Sequence, residues 1–520
     1  MVYRGMLRWP IWLAPAALAV LLPSLSARSA EKATATGNLQ RTGRNQYAQR
    51  FMYPPTFEVV PPSGAASLVC TISTAAGERR AESAGPRVSL AEIWEALPAG
   101  TRYSATIEAL DARGSPTGRT DLGFFKVACF AGGYRPAKCD YVVSGRKCAD
   151  YVLTTLADWQ GDATPKDVRY PALFYAAYVR LLLTDAELGP GTEKARQELL
   201  IAARIGRRLI EASTPKDWAY ANMPLSHDRK VLQVCRTAMV GLAYLELAAA
   251  TGKEAFLEAA TGVAETLRKA QLPEGRWHFR VDPQSGRMLE DYTSDQAEAI
   301  FFLDELIRRH GQRQWTGVRD RAVRWMLENP VKTGHWQQQW DDVPAQPPYR
   351  NLEFYDTVFF ALYLLHHADR QNDNLRIAGE LFRYVEDQFV LWENSFDRSF
   401  VAPGVQEQYL CYKPIDWHAA HFIRLCQAMH QATGKELYLR KACAMADTLT
   451  AVQHADGYYP TWMTRQPTSQ PAELGQINYG DLWPNCMSYT AETMIKFGQY
   501  LQKRANSRGT TSPREADSRQ

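Results

Sequence analysis

The chain has 520 residues, 46% of them hydrophobic and 22% charged, with a net charge of +4. This length suits two or three domains, and so small a charge excess, with no basic stripe interleaved by aromatics, offers nothing to a nucleic acid. Its 14 Trp and 25 Tyr must fill a large core, line a cleft, or do both.

Residues 1–30 read as an export signal. Arg4 and Arg8 open it, IWLAPAALAVLLPSL is its apolar stretch, and Ser24, Ser26, Ala27, Ser29 and Ala30 are small enough for cleavage. The stretch is short for a membrane span, Pro15 and Pro23 interrupt it, and nothing later approaches ~18 uninterrupted apolar residues. The expected mature chain is therefore periplasmic or secreted, with no membrane span. Residues 31–50 are polar and aperiodic and read as a linker. From 51 to 130 the period is that of strands: Leu68, Cys70 and Ile72 alternate, as do Tyr103, Ala105, Ile107 and Ala109, with turn signals at 61–65, 97–100 and 111–114. About eighty residues of short strands predict a small β-sandwich, and the segment resembles a fibronectin type III-like module.

After residue 140 the period becomes helical. Six nearly unbroken apolar segments begin near 171, 234, 297, 357, 418 and 486; six amphipathic ones lie at 146–160, 192–212, 254–270, 316–328, 374–390 and 436–453. A helix apolar on all sides must be covered on all sides, whereas a helix with one apolar stripe covers a neighbour and faces water. Strict alternation of the two kinds predicts an inner and an outer ring over 140–503, an (α/α)6 toroid of six hairpins. ATGKEAFLEAATGVAETLRKAQ (250–271) and ATGKELYLRKACAMADTLTAVQ (432–453) match without a gap, as repeated hairpins should. Residues 504–520 read as a disordered tail.

Nine cysteines show no paired CxxC spacing. Cys129, Cys139 and Cys148 are close enough in sequence for one local bridge, while Cys235, Cys426 and Cys443 sit in apolar helical stretches as buried thiols. No P-loop, GxGxxG, GxSxG or HExxH occurs, and no cofactor or metal is called for.

In a ring of hairpins the outer-to-inner connections open on one face, and here they are long and aromatic, which marks them as functional. They carry Trp277, Trp336, Trp340, Trp392, Trp417, Trp462 and Trp483, rings suited to stacking on sugar faces or to plugging the barrel. They also carry Asp291, Asp295, Asp341, Asp342, Asp356, Glu407, Asp416 and Asp481. Glycoside hydrolysis needs two carboxyls, one protonated in an apolar setting and one ionised. Asp342 is the first choice for the acid, with Glu407, Asp416 and Asp356 as partners; for Asp356 and Asp416 helix capping is the competing role. Arg280 and Arg350 suit a two-point grip on a substrate carboxylate or a salt bridge within the loops, and Tyr349, Tyr409 and Tyr412 lie in the same aromatic segments. His418 and His421 share a helix face with Asp416 nearby, a weak metal pattern that favours proton transfer or packing for His418.

The ring-forming residues resemble the six-hairpin glycosidase superfamily. WQQQWDDVPAQPPYRNL and EQYLCYKPIDWHAAHFIR resemble bacterial β-glucuronidases and unsaturated glucuronyl hydrolases. The resemblance implies an enzyme that removes a terminal uronic acid, saturated or unsaturated, from a glycan with aspartates at the ring mouth; Asp342 and Asp416 lie in the best-matching segments. Two other readings stay open. One is a polysaccharide lyase with Tyr409, Tyr412 or His418 as base; the other is a non-catalytic glycan-binding protein.

Overall fold

In the computed structural model the described residues are 37–157, 171–224, 231–291, 296–336, 352–369, 373–393, 403–409, 411–463 and 483–509; absences and counts given for the fold are of these residues. The chain begins with β1 (Gly37–Asn38), β2 (Arg41–Thr42), β3 (Arg50–Phe51), β4 (Thr56–Val59), β5 (Ser67–Thr74), β6 (Gly77–Ser83), β7 (Arg87–Ser89), a one-turn helix α1 (Ala91–Trp94), β8 (Thr101–Leu110) and β9 (Pro116–Lys126). One sheet runs β1–β9–β8–β5–β6, with β3 also along β9, and the second runs β2–β4–β7. The alternation in the sequence is what builds the core between them. Leu68, Cys70, Ile72, Tyr103, Ala105, Ile107 and Ala109 all point inward, against Phe57, Trp94 and Phe124.

The expected linker is a correction. Within 31–50, the described residues from 37 onward belong to the sandwich: β1 and β3 lie parallel to β9, β2 pairs with β4, and Leu39 and Ala48 are buried. These strands are two residues long, so backbone pairing holds them and no two-residue period had room to develop.

The helices follow: α2 (Tyr141–Thr155), α3 (Ala176–Ala186, entered through a π-helical turn Pro171–Tyr175), α4 (Glu193–Glu211), α5 (Thr237–Thr251), α6 (Glu254–Ala270), α7 (Gln296–His310), α8 (Thr316–Met326, continued by a π-helical turn Leu327–Val331), α9 (Tyr355–His366), α10 (Asn374–Phe389), α11 (Asp416–Thr433), α12 (Glu436–Val452) and α13 (Pro484–Gly509). The odd-numbered helices from α3 to α13 touch in succession, and α13 returns to α3, closing the inner ring. Each of α3, α5, α7, α9 and α11 packs on the outer helix that follows it, and α13 packs on α2, so the last inner helix meets the first outer one. At that contact a Cβ on Gly145 would press on Ile495 and the Ala491 carbonyl, and one on Gly498 would press on Val142. Close approach of the two backbones depends on these glycines. Among the described residues no helix is long and apolar enough to cross a membrane.

The internal repeat has a structural counterpart. Shifted by the same 182 residues that separate 250 from 432, α6 and α12 coincide residue for residue. After each, a glutamine amide (Gln271, Gln453) donates to the carbonyl of Gly275 or Gly457. Both glycines have positive φ, 111° and 102°. A Cβ there would collide with the carbonyl of Arg321 or Lys147 on a neighbouring outer helix. The motif thus fastens each outer helix to another.

Two more expectations change. α13 stays helical to Gly509, six residues into the expected tail, and Arg504 near its end pairs with Glu436 of α12. Cys129, Cys139 and Cys148 form no bridge: the Cys148 thiol is buried within α2 against the Met487 carbonyl, and Cys129 faces the Met52 carbonyl. Helical geometry turns Cys148 into the ring, away from the other two. Cys235 and Cys426 are buried and Cys443 is half-buried.

Sandwich and toroid meet along a continuous polar seam. Met52 and Tyr53 donate their backbone N–H groups to Asp387 Oδ1 at 2.6 and 3.0 Å. Gln49 and Arg50 donate theirs to Gln388 Oε1. Glu386, fully buried, takes Lys441 at 2.5 Å, Trp392 Nε1 at 2.9 Å and the Tyr53 hydroxyl at 2.6 Å. Side chains locked on both sides make this a fixed junction rather than a flexible spacer.

Candidate functional site

The connections between inner and following outer helices are short, as between α5 and α6 or α11 and α12; those from outer to inner helices are long and gather at the N-terminal ends of the inner ring. Short strands stitch them together. β10 (Leu232–Gln233), before α5, pairs with β11 (Arg280–Val281), which pairs with β12 (Met288–Glu290), both before α7. Before α11, β13 (Val390–Leu391), β14 (Gly404–Gln408) and β15 (Cys411–Pro414) form a second sheet. Bridges Glu353–Gln408 and Ile415–Trp462 tie it to the connections on either side. One mouth therefore takes side chains from the first turns of the inner helices and from β14.

The deepest charged group there is Arg236, which enters α5. Its guanidinium lies 3.3 Å from Glu298 of α7, each residue 1% exposed. The Tyr355 hydroxyl at the start of α9 donates to the same carboxylate, and Arg236 stands over the Tyr355 and Trp417 rings at 5.2 and 5.9 Å. Burial, then the Glu298 charge, holds the Tyr355 hydroxyl well above the usual phenol range, so it stays a donor. Beside it, His418 Nε2 lies 3.3 Å from Glu407 Oε1, and the His418 ring packs edge-on against Phe354. Asp416, in the first turn of α11, is wholly buried. Thr490 donates to its Oδ2 at 2.9 Å, while Oδ1 lies near its own and the Trp417 N–H groups without a well-formed hydrogen bond. Burial pushes the Asp416 carboxyl well above the ordinary carboxylate range, against the lowering effect of the Thr490 hydrogen bond.

The other expected residues divide. Asp356 caps a helix, but a neighbouring one: its Oδ1 accepts from Ala297 N of α7 at 2.8 Å, while Glu353 caps its own α9. Trp277 is fully buried, with Nε1 donating to Leu267 O and its backbone clamped by Gln296, so it plugs the ring. Trp336 and Trp392 are likewise buried. Arg280 pairs with Glu290 across β11 and β12 at 3.1 Å, the salt bridge that competed with substrate binding. Asp291 is held by Arg276 and His278. Tyr409 belongs to the seam, its hydroxyl donating to Gln388 Oε1 and accepting from Gln49 N. Trp462 is half-buried and Trp483 is 37% exposed, its ring edge-on to Phe174. Tyr412 lies in β15. Asp342, Tyr349 and Arg350, with Asp295, Asp341, Trp340 and Asp481, lie outside the described residues.

Sequence reasoning passed over Arg236 and Glu298 because they sit in segments read as apolar, and over Tyr355 because it was one aromatic among many in the connection 335–356. The signal was there: VCRTAM and QAEAIFF each place one charge in an otherwise apolar helix, and a buried charge needs a partner on another element.

No protein-family model and no curated protein matches the chain in sequence. Solved structures do share its shape. A family 76 glycoside hydrolase from a bovine Bacteroides thetaiotaomicron strain is 11% identical, matching 89% of this chain and 99% of that one with a TM-score of 0.50. The GH76 α-mannanase of Bacteroides thetaiotaomicron is 14% identical, over 71% and 98%, with a TM-score of 0.50. A sugar epimerase from a ruminal bacterium is 11% identical, over 69% and 98%, with a TM-score of 0.51. At these identities the likeness is one of fold, and the fold of this chain is the six-hairpin (α/α)6 toroid with a β-sandwich in front of it.

Proposed function

We propose that the chain is an exported carbohydrate-active enzyme, a glycoside hydrolase that removes a terminal uronic acid, saturated or unsaturated, at the ring mouth. The observation that carries this reading is the pair of carboxyls at the entrance to α11. Asp416, whose carboxyl burial pushes well above its ordinary range, suits the proton donor; Glu407, 3.3 Å from His418, is its candidate partner. A hydrolase needs that contrast, one carboxyl to protonate the departing oxygen and one to activate water or attack carbon. Asp342 stays a candidate for the same acid role. The export signal read in residues 1–30 suits a polymeric substrate outside the cell. The order β6–β5–β8–β9 against β2–β4–β7, with the Tyr103 hydroxyl donating to Pro98 O at 2.8 Å, supports a fibronectin type III-like front module.

A second reading, β-elimination, draws on the Arg236–Glu298–Tyr355 cluster. A guanidinium suits neutralising a uronate, with His418 taking its α-proton and the Tyr355 hydroxyl, held as a donor, protonating the departing oxygen. Product analysis on saturated and unsaturated uronate oligosaccharides separates the two. Free uronic acid, or loss of existing unsaturation, abolished in Asp416→Asn or Glu407→Gln, is the expected result. New ultraviolet absorbance without free monosaccharide, lost in Tyr355→Phe, would replace hydrolysis by elimination.

A further inference from the structure

Strand β14 carries Glu407, and two domains hold it. From the toroid, Phe354 N donates to the Glu407 carbonyl at 2.9 Å, Tyr409 N donates to the Leu352 carbonyl at 3.1 Å, and Ile415 N donates to the Val405 carbonyl at 3.0 Å. These bonds tie the strand to the entries of α9 and α11. From the sandwich comes β3. Arg50 Nη1 donates to the side-chain oxygen of Gln406, the residue before Glu407. Gln49 N donates to the Tyr409 hydroxyl, two residues after it, at 3.1 Å. The front domain thus grips the strand on both sides of the candidate carboxylate.

The grip is itself anchored. The same Arg50 nitrogen donates at 3.1 Å to the Gln388 carbonyl in the last turn of α10, where carbonyls lack partners within the helix and favour a cation. Gln388 is 1% exposed and returns the contact: its Oε1 accepts from Gln49 N and Arg50 N, and its Nε2 donates to the Arg50 carbonyl. Both acceptors of the guanidinium among the described residues therefore lie in the toroid, one on α10 and one on β14. The strand needs such a hold. Its pairing with β15 changes register between Gln406 and Gln408, and an irregularity of that kind re-aims the side chain beside it. Glu407 Oε1 already stands 3.3 Å from His418 Nε2, so a small displacement of β14 would part them.

We infer that Arg50 is a positioning residue for Glu407: by joining the end of α10 to Gln406 it sets where β14 holds the carboxylate, and the sandwich is part of the ring mouth. This rests on the reading of Glu407 as a carboxylate of the hydrolase. Reacting groups must be held within about 0.5 Å of their productive places, and a planar guanidinium with two fixed acceptors is stiffer than a flexible ammonium.

The test compares full-length variants. Arg50→Met keeps the apolar stem and removes the donors; Tyr53→Phe removes a seam hydroxyl that bonds Glu386 and Lys441 rather than β14. Arg50→Met should lower kcat for uronic acid release by about tenfold or more, the usual result of misplacing a reacting group, with little change in KM. It should also quicken backbone hydrogen exchange over residues 404–409. Tyr53→Phe should do neither, and Arg50→Lys should restore part of both. Gln406→Leu leaves Arg50 its carbonyl on α10, keeps the inference testable if Arg50→Met does not fold, and should reproduce the loss. Combined with Arg50→Met it should add nothing, because both remove one bond. Should the unaltered chain hydrolyse no uronate oligosaccharide, the hydrolase reading fails by itself, and exchange over 404–409 alone decides whether Arg50 holds β14. Unchanged exchange there in Arg50→Met, equal losses of kcat in Arg50→Met and Tyr53→Phe, or additive losses in the double variant would each overturn the inference.

Discussion

At the seam between sandwich and toroid, Glu386 and Lys441 are at most 2% exposed, and their charged atoms are engaged by each other, Trp392 and Tyr53. Asp387 accepts two backbone N–H groups from the other domain. At the axis, burial is as deep, yet among the described residues Asp416 Oδ1, His418 Nδ1 and the Tyr489 hydroxyl have no hydrogen-bond partner. A saturated polar network specifies one geometry. An incomplete one is expensive to keep, and survives where something else completes it. The two regions separate positions whose polar groups are saturated within the protein from positions whose polar groups are left open.

The sharpest way to break this contrast is at the seam. Glu386→Ala strands the Lys441 ammonium and should cost roughly 3–5 kcal/mol, the usual penalty for an orphaned buried charge, read as a lower midpoint in urea unfolding. A smaller effect concerns pH. Burial raises the Asp387 carboxyl well above its ordinary value, so the folded chain holds a proton that the unfolded chain releases. Its contribution is fully present below the unfolded pKa of about 3.9 and is lost as pH rises towards the folded value. Asp387→Asn can still accept both N–H groups and should flatten the decline in stability above pH 4; an unchanged slope would assign the decline elsewhere, Asp416 being the other fully buried candidate. The smallest effect belongs to the axis. Tyr489→Phe removes a hydroxyl without a hydrogen-bond partner among the described residues and should change stability by less than about 1 kcal/mol. A loss as large as that of Glu386→Ala would erase the distinction between the regions.

The double ring was legible because its cause is periodicity. Apolar helices such as TVFFALYLLHHA and striped ones such as 254–270 have no other way to be covered, and the observed helices begin within a few residues of the expected places. The site was legible only in part. Glu407 and His418 are brought together beside Asp416 at the entrance to α11, whereas Trp277 plugs the ring and Tyr409 serves the seam. Tyr409 depends on a partner in the other domain and Trp277 on the fold of the connection around it, and spacing encodes neither. Residues 37–50 failed for a related reason: strands of two residues carry no pattern, only backbone pairing.

The contact of α13 with α2 has a consequence for how the molecule is made. Gly145, Cys148 and Val152 lie buried in a helix that starts at Tyr141, but their cover is synthesised last, from Pro484 onward. Until then a nascent chain carries an open crescent with two unmatched faces, however well the hairpins between have formed. Completion is therefore a late event of high sequence separation, slow by topology and exposed to misassociation. A stop codon just before residue 484 should yield a sticky arc rather than a weakened ring.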